Sequence, residues 1–163
     1  MTTNMFSIWS LMILDKEGKR IYVKYYNDYI QEYEQQRVFE LELHKNTQSD
    51  ELNDLIILED TITVFQKYPQ FIIYATTSKN ENELALQKVL DTINRTFEKI
   101  FRDEMDLEII LVNLDVVILV FDEIVDRGLV FEIDESLIAE RTLIKEESSQ
   151  SLTDMIFGAF FRK

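Results

Sequence analysis

Apolar and polar positions change rhythm several times along this chain. Residues 6–14 and 21–26 are rich in β-branched and aromatic side chains, and Asp15-Lys16-Glu17-Gly18-Lys19-Arg20 separates them. A charged turn with one Gly supplies the positive φ of a tight reversal, so the pattern predicts a β-hairpin. Strand alternation puts Ile21, Val23 and Tyr25 on one side and Tyr22, Lys24 and Tyr26 on the other. Residues 28–47 set Ile30, Tyr33 and Leu41 near one face and many Glu and Gln on the other, which predicts a helix. Residues 39–43 alternate like a strand and work against it, and residues 46–50 form a polar break. Leu55-Ile56-Ile57-Leu58, residues 61–68 and residues 71–77 read as three strands. Glu59-Asp60 and Pro69 mark the turns, because Pro cannot donate to a ladder.

At Ser78 the period changes. Asn80, three residues before Glu83, opens like a capping box. Leu86, Leu90, Ile93, Phe97 and Ile100 then recur at helical spacing, predicting a helix over residues 81–103. Residues 107–126 carry two signals. The run from Val116 to Phe121 reads as a buried strand. Asn113 as a cap, Gly128 at C′ and the stripe Leu114, Val117, Phe121, Ile124 and Val125 read as a buried helix, which is preferred. Residues 129–133 are expected extended, and 134–143 as a short helix capped by Asp134. The chain then divides into a domain over residues 1–143 and a segment over 144–163, made of a polar linker at 146–150 and an aromatic-rich tail. The element order predicts an α/β (α+β) sandwich: a five-stranded antiparallel sheet with the first helix on one face and the later helices on the other.

Composition narrows the function. The chain has 163 residues, 46% hydrophobic and 29% charged, enough for one domain with a real core. A net charge of -14 argues against nucleic acid and against docking on an anionic leaflet, and suits a basic protein partner or plain solvation. No Cys excludes disulfides and thiol catalysis and fits a reducing compartment. The first ten residues lack a signal-peptide pattern, and no apolar run nears the roughly 18 residues of a membrane span. His44 is expected on the surface, and one His with no Cys excludes by count a metal site built on His or Cys. Asp122, Glu123 and Asp126 are expected as the solvated edge of an apolar helix rather than as acid–base or oxygen-ligand groups. Three scattered Gly build no phosphate loop. No catalytic residue, cofactor or metal is expected, and contact is the expected function.

Three stretches carry a family resemblance. ILDKEGKRIYVKYY (residues 13–26) looks like the opening hairpin of coatomer zeta subunits. NENELALQKVL (80–90) resembles the start of that family's long helix, and FDEIVDRGLVFEID (121–134) its Asp-Glu-Ile-Val-Asp-x-Gly segment. They stand in the family's order and spacing over residues 6 to about 143. The resemblance implies a longin-type fold and settles residues 116–121 as helix. It implies a small structural subunit of the coat that returns cargo from Golgi to endoplasmic reticulum, seated in the large gamma subunit, with the large subunits meeting the Arf-type GTPase. The expected location is cytoplasmic, on Golgi membranes and coated vesicles, with membrane association through the coat. The alternative is the small sigma-type chain of a clathrin adaptor, which helps bind dileucine signals.

Two segments are interface candidates. Tyr22, Tyr25 and Tyr26 crowd one strand, and some aromatic surface is expected to face a partner. In the tail, Leu152, Met155, Ile156, Phe157, Phe160 and Phe161 recur at three- and four-residue steps before Arg162-Lys163, an apolar helical face. Packing back on the domain, docking in a partner's groove and resting on a membrane are its three possible fates, in that order.

Overall fold

The computed structural model describes residues 5–48, 54–102 and 104–161; the side chains of residues 160 and 161 fall outside that set. β1 (Ser10–Asp15) and β2 (Arg20–Tyr25) form the opening hairpin. The Asp15 carboxylate closes its turn, accepting from the backbone N–H of Glu17 at 3.0 Å and of Lys19 at 2.8 Å, while Gly18 takes φ +78°. The ladder shifts register between Ile13 and Leu14, pairing Ile13 with Tyr22 and Leu14 with Arg20. The extra residue is Ile21. It therefore packs on the same core as Tyr22 and Tyr26, whereas Val23 and Tyr25 pack on the other. Strict alternation holds only beyond the bulge.

β3 (Leu55–Leu58), β4 (Thr61–Lys67) and β5 (Phe71–Ser78) form the expected meander. The five strands are antiparallel in the order β2-β1-β5-β4-β3. β1 and β5 at the centre read as nearly unbroken apolar runs because helices cover both faces. On one face Met12, Leu14, Ile72 and Tyr74 pack with Leu43 of α1 (Tyr33–Thr47). On the other, Leu11, Ile13, Ile73 and Ala75 pack with Leu86, Leu90, Ile93 and Phe97 of α2 (Glu83–Phe101). α1 starts later than expected, since residues 28–32 form bends and irregular chain. Residues 49–53, which include part of the expected polar break, lie outside the described residues. Asn82, not Asn80, caps α2, accepting from Leu84 N–H at 2.9 Å.

Residues 107–124 make two helices, α3 (Leu107–Val112) and α4 (Leu114–Ile124). Asp106 caps α3, accepting from Ile109 N–H at 2.8 Å. Asn113 stands at the N-cap of α4 as expected, and its carbonyl accepts from Val117 N–H at 3.0 Å, but its side chain makes no cap bond; its amide donates instead to the Ile109 carbonyl at 2.9 Å, at the break between the helices. The apolar run at 116–121 is helical, with Val117, Val120 and Phe121 fully buried against the sheet and α2. Gly128 is not the C′ residue of α4. The chain passes straight into β6 (Val125–Asp126) and β7 (Leu129–Val130), and Gly128 sits in the two-residue turn between them. Arg127 at φ +49° and Gly128 at φ +83° supply the two positive values that a primed hairpin turn requires.

α5 (Glu135–Phe161) is one continuous helix of 27 residues. Asp134 caps it as expected, accepting from the N–H groups of Ser136 and Leu137 at 3.0 Å. Residues 146–150 are therefore helix rather than a linker, and the 143/144 division falls inside α5. Ile138, Ala139 and Thr142 are buried where α5 meets α2 and α4. Residues 147–159 are all exposed, so this stretch leaves the domain instead of packing back on it.

Candidate partner interface

β2 is an end strand, and its three tyrosines divide between the two layers. Tyr22 stacks at a tilt on Phe121 of α4, with ring centroids 5.2 Å apart. Beside it Lys24 Nζ pairs with Asp122 at 2.6 Å and lies 5.3 Å from the centre of the Tyr26 ring. Tyr26 packs against the β6–β7 turn, where Ile8 N–H donates to the Gly128 carbonyl at 2.7 Å and any Cβ on Gly128 would come 3.2 Å from Tyr26 Cβ. The Tyr26 hydroxyl is buried without a hydrogen-bond partner among the described residues. Tyr25 points to α1 and donates to Glu40 at 3.1 Å. Burial pushes the Tyr22 phenol up to about 12 and raises those of Tyr25 and Tyr26 further. The tyrosines are thus half-buried mounts of the edge strand, each with one side in the core.

The tail candidates stand differently. Leu152, Met155, Ile156 and Phe157 are 57–71% exposed on the projecting part of α5. Phe160 and Phe161 end the helix, and their side chains lie outside the described residues. A helical segment with this much apolar surface is out of balance with water alone.

Two further exposed apolar positions, Leu111 (53%) and Val112 (75%), were missed by periodicity. The signal was the run Ile109-Ile110-Leu111-Val112: four consecutive apolar residues on a short helix cannot all turn inward. Phe131, 70% exposed just after β7, gave no periodic signal.

The charged candidates also move. Glu123 is 7% exposed, not a solvated edge. Its carboxylate pairs with Lys145 and, at 3.8 Å, with Arg141, so it anchors α5 to α4. Asp122 and Asp126 are exposed as expected. His44 is half-buried over the β1–β2 turn, where a Cβ on Gly18 would meet its ring at 3.0 Å. Among the described residues no cluster of three His, Cys, Asp or Glu could hold a metal ion, and no helix is long and apolar enough to cross a membrane.

Comparison with known proteins gives this geometry a family. The family described as clathrin adaptor complex small chain matches residues 7–149. Coatomer subunit zeta of Saccharomyces cerevisiae is 30% identical over 148 residues, covering 85% of this chain and 78% of that one. Coatomer subunit zeta-1 of Arabidopsis thaliana is 35% identical over 133 residues, covering 80% and 75%. Probable coatomer subunit zeta-A of Dictyostelium discoideum is 29% identical over 159 residues, covering 96% and 91%. Among structures, a chain of the homology model of the full-length AP-3 complex in a stretched open conformation has a TM-score of 0.69 at 16% identity, covering 91% of this chain and 98% of that one, a likeness of fold. With coatomer zeta subunits as relatives and the family match running from residue 7 to residue 149, this chain belongs to the clathrin adaptor complex small chain family, on its coatomer zeta side, as a coat subunit and not an enzyme.

Proposed function

We propose that this chain is a structural subunit of the coatomer coat, bound by the large gamma subunit. In that role it serves Golgi-to-ER and intra-Golgi transport on the cytosolic side of Golgi membranes and vesicles. Its membrane association, and its link to the Arf-type GTPase, run through the larger subunits. The observation that carries the reading is the projecting half of α5. Four large apolar side chains stand exposed there on a helix that leaves the domain. An amphipathic helix laid in a partner's groove is a standard recognition mode. The edge strand with Tyr22, Tyr25 and Tyr26 is the second contact proposed. A permanent interface of this kind buries more than about 2,000 Å² with an apolar centre.

Affinity capture of the full chain from cytosol, followed by mass spectrometry, tests the proposal. Co-purification of gamma-coatomer is the expected result, and recovery of an adaptin large chain instead would overturn it. The competing reading, a sigma-type chain for dileucine signals, draws on the exposed Leu111 and Val112. Glu104, Asp106 and Glu108 are exposed just before them and oppose an acidic signal peptide, while Asp103 lies outside the described residues.

A further inference from the structure

We infer that the groove between α1 and the tip of the β3–β4 hairpin takes an extended, basic and apolar peptide segment of a partner protein. The groove encloses about 640 Å³. Ile30, Val38, Phe39 and Leu58 give it apolar walls, and Tyr29 lines it with them. Val38 is 65% exposed although it faces this concavity, so an apolar wall stands open to water. Among the described residues the charged side chains that line it are all acidic, Glu34, Glu42 and Glu59. A nearby cation, Lys79 at the hairpin tip, is already paired with Asp60 at 2.5 Å and donates to the Glu59 carbonyl at 3.4 Å. Glu34 and Glu42 stand one above the other with Val38 between them, at four-residue steps along α1, and make no ion pair among the described residues.

Charge complementarity selects the chemistry of the occupant: apolar side chains for the walls, Lys or Arg for the rim. The neighbouring strand selects its shape. Among the described residues β3 ends the sheet and pairs with β4 alone, so its outer edge offers backbone N–H and C=O groups to another strand. β3 has four residues, about 13 Å of edge, which suits a short extended segment. The groove lies at the β3 edge of the sheet, whereas the tyrosine strand β2 is the opposite edge, with Tyr22 and Tyr26 on the α4 side and Tyr25 alone turned toward α1. It is therefore a second contact surface, at the other edge from the one proposed for the large subunit.

The test uses the full chain and a fluorescent peptide of alternating Lys and Leu, followed by anisotropy. Matched peptides of alternating Glu and Leu, and of Lys and Ser, are the controls. The Lys–Leu peptide is expected to bind at least about tenfold tighter than either control, and to weaken as salt rises from about 0.05 to about 0.5 M. Glu34→Lys with Glu42→Lys should weaken it by about tenfold or more and admit the Glu–Leu peptide. Both positions are exposed, so the melting temperature should stay in place. Glu83→Lys with Glu98→Lys, on exposed positions of α2, should leave binding unchanged. Equal loss with the α2 pair would reduce the effect to net charge and overturn the site. So would loss of large-subunit capture by the α1 pair, which would merge the groove with that interface. So too would a self-association seen by sedimentation that the α1 pair dissolves, because the occupant would then be a second copy.

Discussion

Arg20 Nε donates to Glu40 Oε2 at 2.7 Å, joining the start of β2 to the middle of α1. The Glu40 side chain is fully buried and also receives Arg37 Nη1 at 2.5 Å and the Tyr25 hydroxyl at 3.1 Å. A carboxylate out of water needs this many donors, and two partly exposed guanidinium groups supply them while keeping contact with solvent. The cluster ties the tyrosine strand to the layer above it.

Glu40→Ala should therefore cost about 2–3 kcal/mol, since it removes several charge-assisted bonds and leaves a cavity. Arg20→Leu should cost less, about 1–2 kcal/mol, because Arg37 and Tyr25 still satisfy the carboxylate. Urea unfolding of both variants with an unchanged slope checks the order. A larger loss for Arg20→Leu would show that Arg37 cannot hold Glu40 by itself.

Alkaline pH should destabilise the fold. Burial pushes Tyr22, Tyr68 and Tyr74 from the ordinary value of 10.0 up to about 12. Burial likewise raises Tyr25 and Tyr26. Between those values the unfolded chain loses phenolic protons that the fold retains, so stability falls as pH rises from about 10 to about 12. Below pH 10 these groups are neutral in both states and contribute no slope. Tyr74→Phe removes one such proton and should make the alkaline decline shallower, at the loss of its 3.3 Å contact with Thr47. An unchanged decline in that variant would assign the effect elsewhere.

Gly128→Val should cost about 2 kcal/mol or more. The residue sits at φ +83°, and a Cβ would come within 2.9 Å of the Ile8 carbonyl and 3.2 Å of Tyr26 Cβ. Thermal unfolding gives the stability. Tryptophan fluorescence gives a local reading, because Trp9 adjoins Ile8 and its ring lies 4.7 Å from that of Tyr29. A variant as stable as the parent would mean the turn has an alternative conformation.

Truncation after Ser149 should leave the unfolding free energy within about 0.5 kcal/mol, since residues 150–159 are exposed. Capture of the large subunit should weaken. Ile156→Asp should reproduce the weaker capture in the full-length chain, again without loss of stability, because Ile156 is 57% exposed. A lower melting temperature on truncation would show that the tail packs on the domain in solution. Full capture by both variants would leave the edge strand as the contact.

Local pattern alone carried the opening hairpin, the meander and α2. In each, neighbours in sequence make the decisive interactions: Asp15 closes its own turn, Glu59-Asp60 and Pro69 end their strands, and the apolar step from Leu86 to Phe97 is helical by itself. The motifs at residues 13–26, 80–90 and 121–134 also carried the family, because the residues that make these turns and packed faces are the ones such chains share. Other features depend on groups far apart in the chain. The β1–β2 bulge turns Ile21 to the side of Tyr22, and only the pairing with β1 and the core beneath reveals it. Gly128 carries the positive φ expected from its position, but serves a hairpin because Val125 pairs with Val130 instead of extending α4. Glu40 and Glu123 look like ordinary surface acids until Arg20 of β2 joins Arg37 of the same helix at Glu40, and Lys145 of α5 reaches Glu123, to let them be buried. The polar residues 146–150 read as a linker, yet lie within a helix that begins at the Asp134 cap and is held to α2 and α4 by Ile138, Ala139 and Thr142. A segment with weak local preference takes the conformation of the packed helix it extends, and that packing is a property of the tertiary structure.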